Sequence, residues 1–308
     1  MQDSPQTSPK EAVRLFAKSL EQSAMLAWAK RGEIRSVPAA PAVTAHSSEQ
    51  SLHDGRAPLR FLSFNIQVGI GTSKYRHYFT KGWKHLLPHE RATLNLQRIA
   101  DVVAGYDFVA LQEIDGGSMR SSYVNQVEFI AECARFPYWY TQLNRDLGPL
   151  AQHGNGLLSR LSPMDMEDHK LPGAIPGRGA IVARLPYGDV SVLVVLLHLS
   201  LGERSRRLQL EYVRNLIDGQ QHVVLMGDMN SHLTDLLFNS PLAETNLMPA
   251  AGQVQPTYPS WRPLRALDHV LVSPCLAIRD YEVLDCRLSD HRPISVTLEL
   301  ADQPVGRQ

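Results

Sequence analysis

The sequence predicts an α/β fold centred on one large domain, and three features carry that expectation. The chain has 308 residues, 44% of them hydrophobic, enough to bury a sizeable core in one large α/β domain or two small ones. From Leu59 onward, short apolar runs of strand length alternate with segments of helical period. Chemically capable polar residues recur where those apolar runs stop, as they do when a sheet holds a site at its strand ends.

Ahead of that domain, residues 8–29 read as an amphipathic helix within a first segment, 1–30. Ser8 can cap it, Pro9 suits its first turn, and Glu11 completes an S-x-x-E capping box. Val13, Phe16, Leu20, Ala24 and Trp28 share one face, expected to dock on the chain's own domain or on a partner. Residues 31–57 are rich in Pro, Ala and Ser without periodicity and read as a linker. The domain proper is expected over 58–303, with a tail at 304–308.

Within the domain, strands are expected at Leu59–Asn65, Asp107–Gln112, Asn155–Arg160, Gly179–Arg184, Val190–Leu197, His222–Met226, Asp268–Val272 and Ile294–Leu300. A helix is expected over 88–104, with Leu94, Ile99, Val102 and Val103 inward. A second is expected over 201–218, opened by a capping box from Ser200 to Glu203. No internal repeat is present.

Lys+Arg and Asp+Glu both total 31, so the chain lacks the basic excess of a protein held mainly by nucleic-acid phosphates, although a local basic patch would suffice for a nuclease. Three cysteines without a C-x-x-C pair argue against a disulfide framework and a zinc ribbon. The first residues lack the pattern of a signal peptide. The longest apolar run, Val190 to Leu197, falls far short of the roughly 20 residues that span a bilayer. These features lead us to expect a cytoplasmic protein.

The polar strand endings are Asn65, Glu113, His198, Asp228 with Asn230, Asp268 with His269, and Asp290 with His291. Each alone has an ordinary explanation. Asn65 is a turn former, Glu113 a loop carboxylate, His198 a satisfied core histidine, and G-D-x-N at 227–230 an Asx turn. Recurrence across the chain argues for chemistry instead. No Cys–His pairing, G-x-S-x-G elbow or phosphate-cradling P-loop is present. Carboxylates with Asn and water favour Mg²⁺ or Mn²⁺ over zinc. Asp and His can activate water, while Asn and a metal can stabilise charge on a phosphoryl group.

An ordered set of motifs extends that reading: N-I-Q at 65–67, L-Q-E at 111–113, H-G-N-G-L-L-S-R at 153–160, L-H-L at 197–199, G-D-M-N at 227–230, L-D-H-V-L-V-S at 267–273 and S-D-H-R-P-I at 289–294. Together they resemble the endonuclease/exonuclease/phosphatase superfamily with its deoxyribonuclease I-like fold. The resemblance implies a four-layer α/β sandwich, two mostly antiparallel sheets packed face to face between helices. It implies Glu113 as principal metal ligand with Asn65 beside it and Asp290 within reach. It implies Asp228 as the residue acting on the attacking water, with Asn230 holding Asp228 or the phosphate. His291, steadied by Asp268, would polarise the phosphoryl oxygen or carry a proton, and His198 and Asn155 would contact the phosphate.

Gln67 stands where apurinic endonucleases carry an acidic metal ligand, which points away from base excision. The expected activity is hydrolysis of a small-molecule or lipid phosphate ester. The alternative is a nuclease using the insertion with Lys74, Arg76, Lys81, Trp83 and Lys84, which could equally be a lid. A catalytically inert binding scaffold is the third reading.

Overall fold

The computed structural model describes residues 35–36, 57–69, 89–146, 150–173 and 177–301. The N-terminal helix, nearly all of the linker, the basic insertion and the tail expected from sequence lie outside these residues.

Among the described residues, thirteen strands and four α-helices follow in chain order: β1 (Arg35–Ser36), β2 (Leu59–Asn65), α1 (His89–Val103), β3 (Phe108–Asp115), α2 (Gln126–Ala134), β4 (Tyr138–Asp146), β5 (Gln152–Ser159), β6 (Asp165–Lys170), β7 (Gly179–Tyr187), β8 (Val190–His198), α3 (Glu203–Ile217), β9 (Val223–Asp228), α4 (Leu233–Phe238), β10 (Met248–Pro249), β11 (Asp268–Val272), β12 (Leu276–Val283) and β13 (Ile294–Leu300). They form a seven-stranded sheet, β1-β4-β5-β3-β2-β13-β12, and a six-stranded sheet, β10-β11-β9-β8-β7-β6. Among the described strands, only the pairs β2–β3 and β8–β9 are parallel.

Period-2 alternation builds the layers. Phe61, Phe108, Val194, Met226 and Val270 point between the sheets and form one core. The alternate residues Leu62, Val109 and Leu111 point outward to meet Ile99 and Val103 of α1 and Ile130 of α2. Val195, Leu197 and Leu225 likewise meet Leu210, Val213 and Ile217 of α3. Helix, sheet, sheet and helix give the expected four-layer sandwich.

Several local expectations are corrected. Leu94 is 60% exposed, and the inward stripe of α1 is Leu96, Ile99, Ala100 and Val103, which keeps the i, i+3, i+4, i+7 spacing. The capping box at 200–203 does not form. Gly202 is the N-cap residue without a side-chain bond, and the Ser200 hydroxyl instead accepts from Gln209 Nε2 at 2.9 Å. β3 and β7 run three residues past their expected ends, and β5 starts earlier, so Asn155 sits inside a strand rather than opening one. Among the described residues no helix is long and apolar enough to cross a membrane.

Candidate active site

The alternation that builds the core also aims the site. Asn65 continues the inward-facing set of β2, His198 that of β8, Asp228 that of β9, Asp268 that of β11 and Asn155 that of β5. Five polar side chains therefore enter the gap between the sheets.

Glu113 breaks the alternation. Gln112 pairs with Asn155 and Ile114 with Gly154, so Glu113 is the extra residue of a β-bulge. Its φ is 55°, a left-handed conformation, and Ile114 takes the outward core position that regular alternation would have given Glu113. The bulge leaves the Glu113 carboxylate 3.9 Å from His198 Nε2. Gln67 (φ 45°) and Asn230 (φ 48°) are also left-handed, and such residues cost about 1–3 kcal/mol each, so the surrounding structure must hold them in place. Gly227 has φ 143°, and a Cβ there would meet the Leu197 carbonyl at 1.9 Å, so only glycine lets β9 deliver Asp228 beside β8.

Asp228 is the hub. Asn65 donates Nδ2 to its Oδ2 at 3.1 Å, and the Asn230 backbone N–H donates to its Oδ1 at 3.0 Å. His198 Nε2 lies 3.4 Å and His291 Nε2 3.9 Å from Oδ2. Burial, reinforced by the neighbouring Asp268 charge, raises the Asp228 carboxyl to about 7, against the opposing pull of His291. His291 hydrogen-bonds through Nδ1 to Asp268 Oδ2 at 2.7 Å, and Thr257 Oγ1 donates to the same oxygen. Burial disfavours the His291 imidazolium, but Asp268, Asp228 and Asp290 outweigh it and raise the group to about 10. His198 behaves oppositely. Burial, then the Arg178 charge, holds it well below 6.5, so its contact with Asp228 is that of a neutral ring and not an ion pair.

Arg178 was not anticipated from sequence. It precedes β7, and its Nη1 sits 2.7 Å from Nδ1 and 2.6 Å from Nε2 of His198. An isolated arginine before a glycine carries no pattern to flag it. Gln142 was missed for the same reason. Its Oε1 accepts from Asn155 Nδ2 at 2.9 Å, and Asn155 Nδ2 also donates to the Gly179 carbonyl at 3.0 Å. Both sheets thereby fix the Asn155 amide, with Nδ2 turned toward protein acceptors.

Among the described residues, two places offer ligand atoms to a cation. Asp228, Asp268 and His291 bring one ligand atom each within 4.8 Å of one another. Asp268 and His291, however, are already engaged with each other. The second place has Glu113 and Asp290, with Gln67 Nε2 donating to Asp290 Oδ2 at 2.8 Å. The Gln67 Oε1 is buried and lacks a hydrogen-bond partner, as an oxygen awaiting a cation or its water would be. Burial raises the Asp290 carboxyl, with Glu113 adding to the rise and His291 opposing it. Such a donor set suits a hard divalent cation.

The sequence matches the family described as Endonuclease/Exonuclease/phosphatase over residues 62–291. The chain belongs to this family. Its fold is shared by an endonuclease/exonuclease/phosphatase from Beutenbergia cavernae (20% identity, TM-score 0.62, covering 82% of this chain and 73% of that one). A mannosyl-6-phosphatase of Bacteroides thetaiotaomicron aligns at 17% identity and TM-score 0.57, covering 78% and 99%. D. rerio TDP2, complexed with a single-strand DNA product, aligns at 16% identity and TM-score 0.57, covering 79% and 99%. No curated protein matches the sequence. Family members are hydrolases of phosphate esters, and this chain holds a buried Asp/Asp/His group.

Proposed function

We propose that the chain is a Mg²⁺-dependent phosphoesterase, with Mn²⁺ as a possible substitute ion, acting on a small-molecule or lipid phosphate. The supporting observation is one buried carboxylate, Asp228, held by Asn65 and Asn230 beside a cationic His291. A bound divalent ion would supply Lewis-acid polarisation of the phosphoryl group, held by Glu113 and Asp290 with amide oxygens of Asn65 and Gln67 beside them.

In this reading Asp228 takes the proton of the attacking water. Its raised pKa suits a base working near neutrality, and its two hydrogen bonds fix which lone pair faces the water. His291, protonated and steered by Asp268, directs Nε2–H at a phosphoryl oxygen and stabilises charge as it builds. Arg178 and neutral His198 bind the phosphate, and Asn155 shapes the wall beside them. Asn230 Nδ2 is engaged by the Leu199 carbonyl at 2.9 Å, which favours the role of holding Asp228 over that of touching phosphate.

The test is a paired panel with Mg²⁺: phospholipids and small phosphate esters on one side, plasmid and single-stranded DNA on the other, with Asp228→Asn as control. Hydrolysis of a lipid or small ester that vanishes in the variant supports the proposal. Variant-sensitive cleavage of DNA alone replaces it with a nuclease, and hydrolysis equal in both proteins rejects the site.

A further inference from the structure

Residues 257–265 form a loop fastened to the catalytic segment on its inner side. Ser260 donates its backbone N–H to the Asp290 carbonyl at 2.7 Å and its hydroxyl to the Ser289 carbonyl at 2.6 Å. Arg292 Nε returns a bond to the Ser260 carbonyl at 2.9 Å. The Tyr258 ring packs on His291, centroids 4.9 Å apart, and the Leu264 and Arg265 amides both donate to the Tyr258 carbonyl. The base of the loop is thus continuous with His291 and Asp290.

The outer side has the opposite character. Trp261 is 50% and Leu264 68% exposed, and Val254 in the preceding segment is 56% exposed. Arg262 and Arg265 alternate with them and are exposed too, and neither side chain pairs with a described carboxylate. From Thr245 to Leu267 the chain contains no Asp or Glu. A fastened rim that presents an exposed tryptophan and two exposed aliphatic side chains beside two exposed arginines, with no acid in its own segment, leaves apolar area in water without a packing reason. Its charge pattern names the surface that would cover it. Trp and Leu suit the boundary between headgroups and acyl chains, and the arginines reach back to anionic headgroups. Leu264 and Val254 have no flat face on which a nucleobase could stack, which favours lipid over nucleic acid.

We infer that the Trp261–Arg265 rim is an interfacial anchor that seats the active site on an anionic phospholipid surface. The inference rests on the phosphoesterase reading and narrows it: the scissile phosphate is presented at a lipid surface.

The experiment is co-sedimentation of the full chain with phosphatidylcholine vesicles, with and without phosphatidylglycerol, beside a single-stranded oligonucleotide titration. We expect binding to the anionic vesicles alone. Trp261→Ala with Leu264→Ala should weaken it at least tenfold, and Arg262→Gln roughly fivefold. Turnover of a soluble phosphate ester should stay unchanged in these variants, which also shows that they fold. No vesicle binding, equal binding by the double variant, or oligonucleotide binding lost on Trp261→Ala overturns the anchor. The two proposals fail separately. Vesicle binding without turnover of any phosphate ester sinks the catalytic reading alone, and turnover without vesicle binding sinks the anchor alone.

Discussion

Asn65, the last residue of β2, donates its side-chain amide to Asp228, the last residue of β9, at 3.1 Å, and so joins the ends of the two sheets at the base of the site. The same Asn65 accepts the Gln67 backbone N–H at 3.2 Å, which prevents its amide from flipping. Asn65→Ala should therefore free Asp228 to rotate, lowering kcat by about 10²-fold with a smaller change in KM. A variant that loses affinity while keeping kcat would refute this positioning role.

Asp228 carries a cost in stability, and its sign follows from the pKa. The folded value is raised from 3.8 to about 7, so the native state holds a proton that the unfolded state has released. The contribution to stability is present below 3.8 and is lost as pH rises through 7. Urea melts of metal-free wild type and Asp228→Asn should show the variant gaining on wild type from pH 4 to 7, by roughly 1–3 kcal/mol. The lost Asn65 bond adds a pH-independent offset and drops out of the slope. A flat difference would contradict the burial argument.

Sequence made part of this site legible. Strand alternation is local, so the inward direction of Asn65, His198, Asp228 and Asp268 follows once the apolar runs are recognised. Glu113 shows where that logic stops. Its type and place are visible, but its direction depends on a bulge set by pairing with β5. The polar β6 and the aromatic-polar β4 escape notice because an edge strand, and a strand flanked on its outer side only by the two-residue β1, need no apolar run of their own. Leu94 was misassigned because adjacent apolar positions in α1 admit two stripes, and only packing on β2 and β3 selects one. Arg178 and Gln142 act through partners distant in sequence and left no local signal.

His291 titrates with the opposite consequence. Its folded value is raised from 6.5 to about 10, so its stabilising contribution is complete below 6.5 and lost as pH rises through 10. Burial opposes that charge, and Asp268 is the largest influence sustaining it. Asp268→Asn should therefore move the alkaline loss of stability in metal-free protein to lower pH, and an imidazole titration followed by NMR would show it directly. An unmoved His291 would exclude the dyad as the source of its charge.

Glu113→Gln should leave Asp228 and His291 in place while removing a charged oxygen from the cation site. The expected outcome is at least tenfold weaker Mg²⁺ activation, recovered in part at excess metal, and a smaller Mg²⁺-induced rise in Tm. Chelation should abolish wild-type turnover. Full turnover in chelator, or a Mg²⁺ response identical in the variant, would remove Glu113 from the site.

Arg178 has a demanding environment for a cation. Burial lowers its pKa, while Glu113 and Asp228 pull it back up, and its nearest partner is a neutral ring, His198, instead of a carboxylate. A half-buried guanidinium without an ion pair to a described residue is poised for an anion, and a phosphate held between Arg178 and His198 would complete it. Arg178→Ala should raise KM for the phosphate ester and weaken inhibition by inorganic phosphate or vanadate, each by about 10–100-fold. Lysine should restore little of this, because an ammonium lacks the planar fork that reaches His198 and phosphate together. The same substitution removes the second-largest influence depressing His198, so that ring should titrate closer to 6.5 in Arg178→Ala. If KM and product inhibition stay at wild-type values while the His198 titration moves, Arg178 governs the histidine but does not hold phosphate.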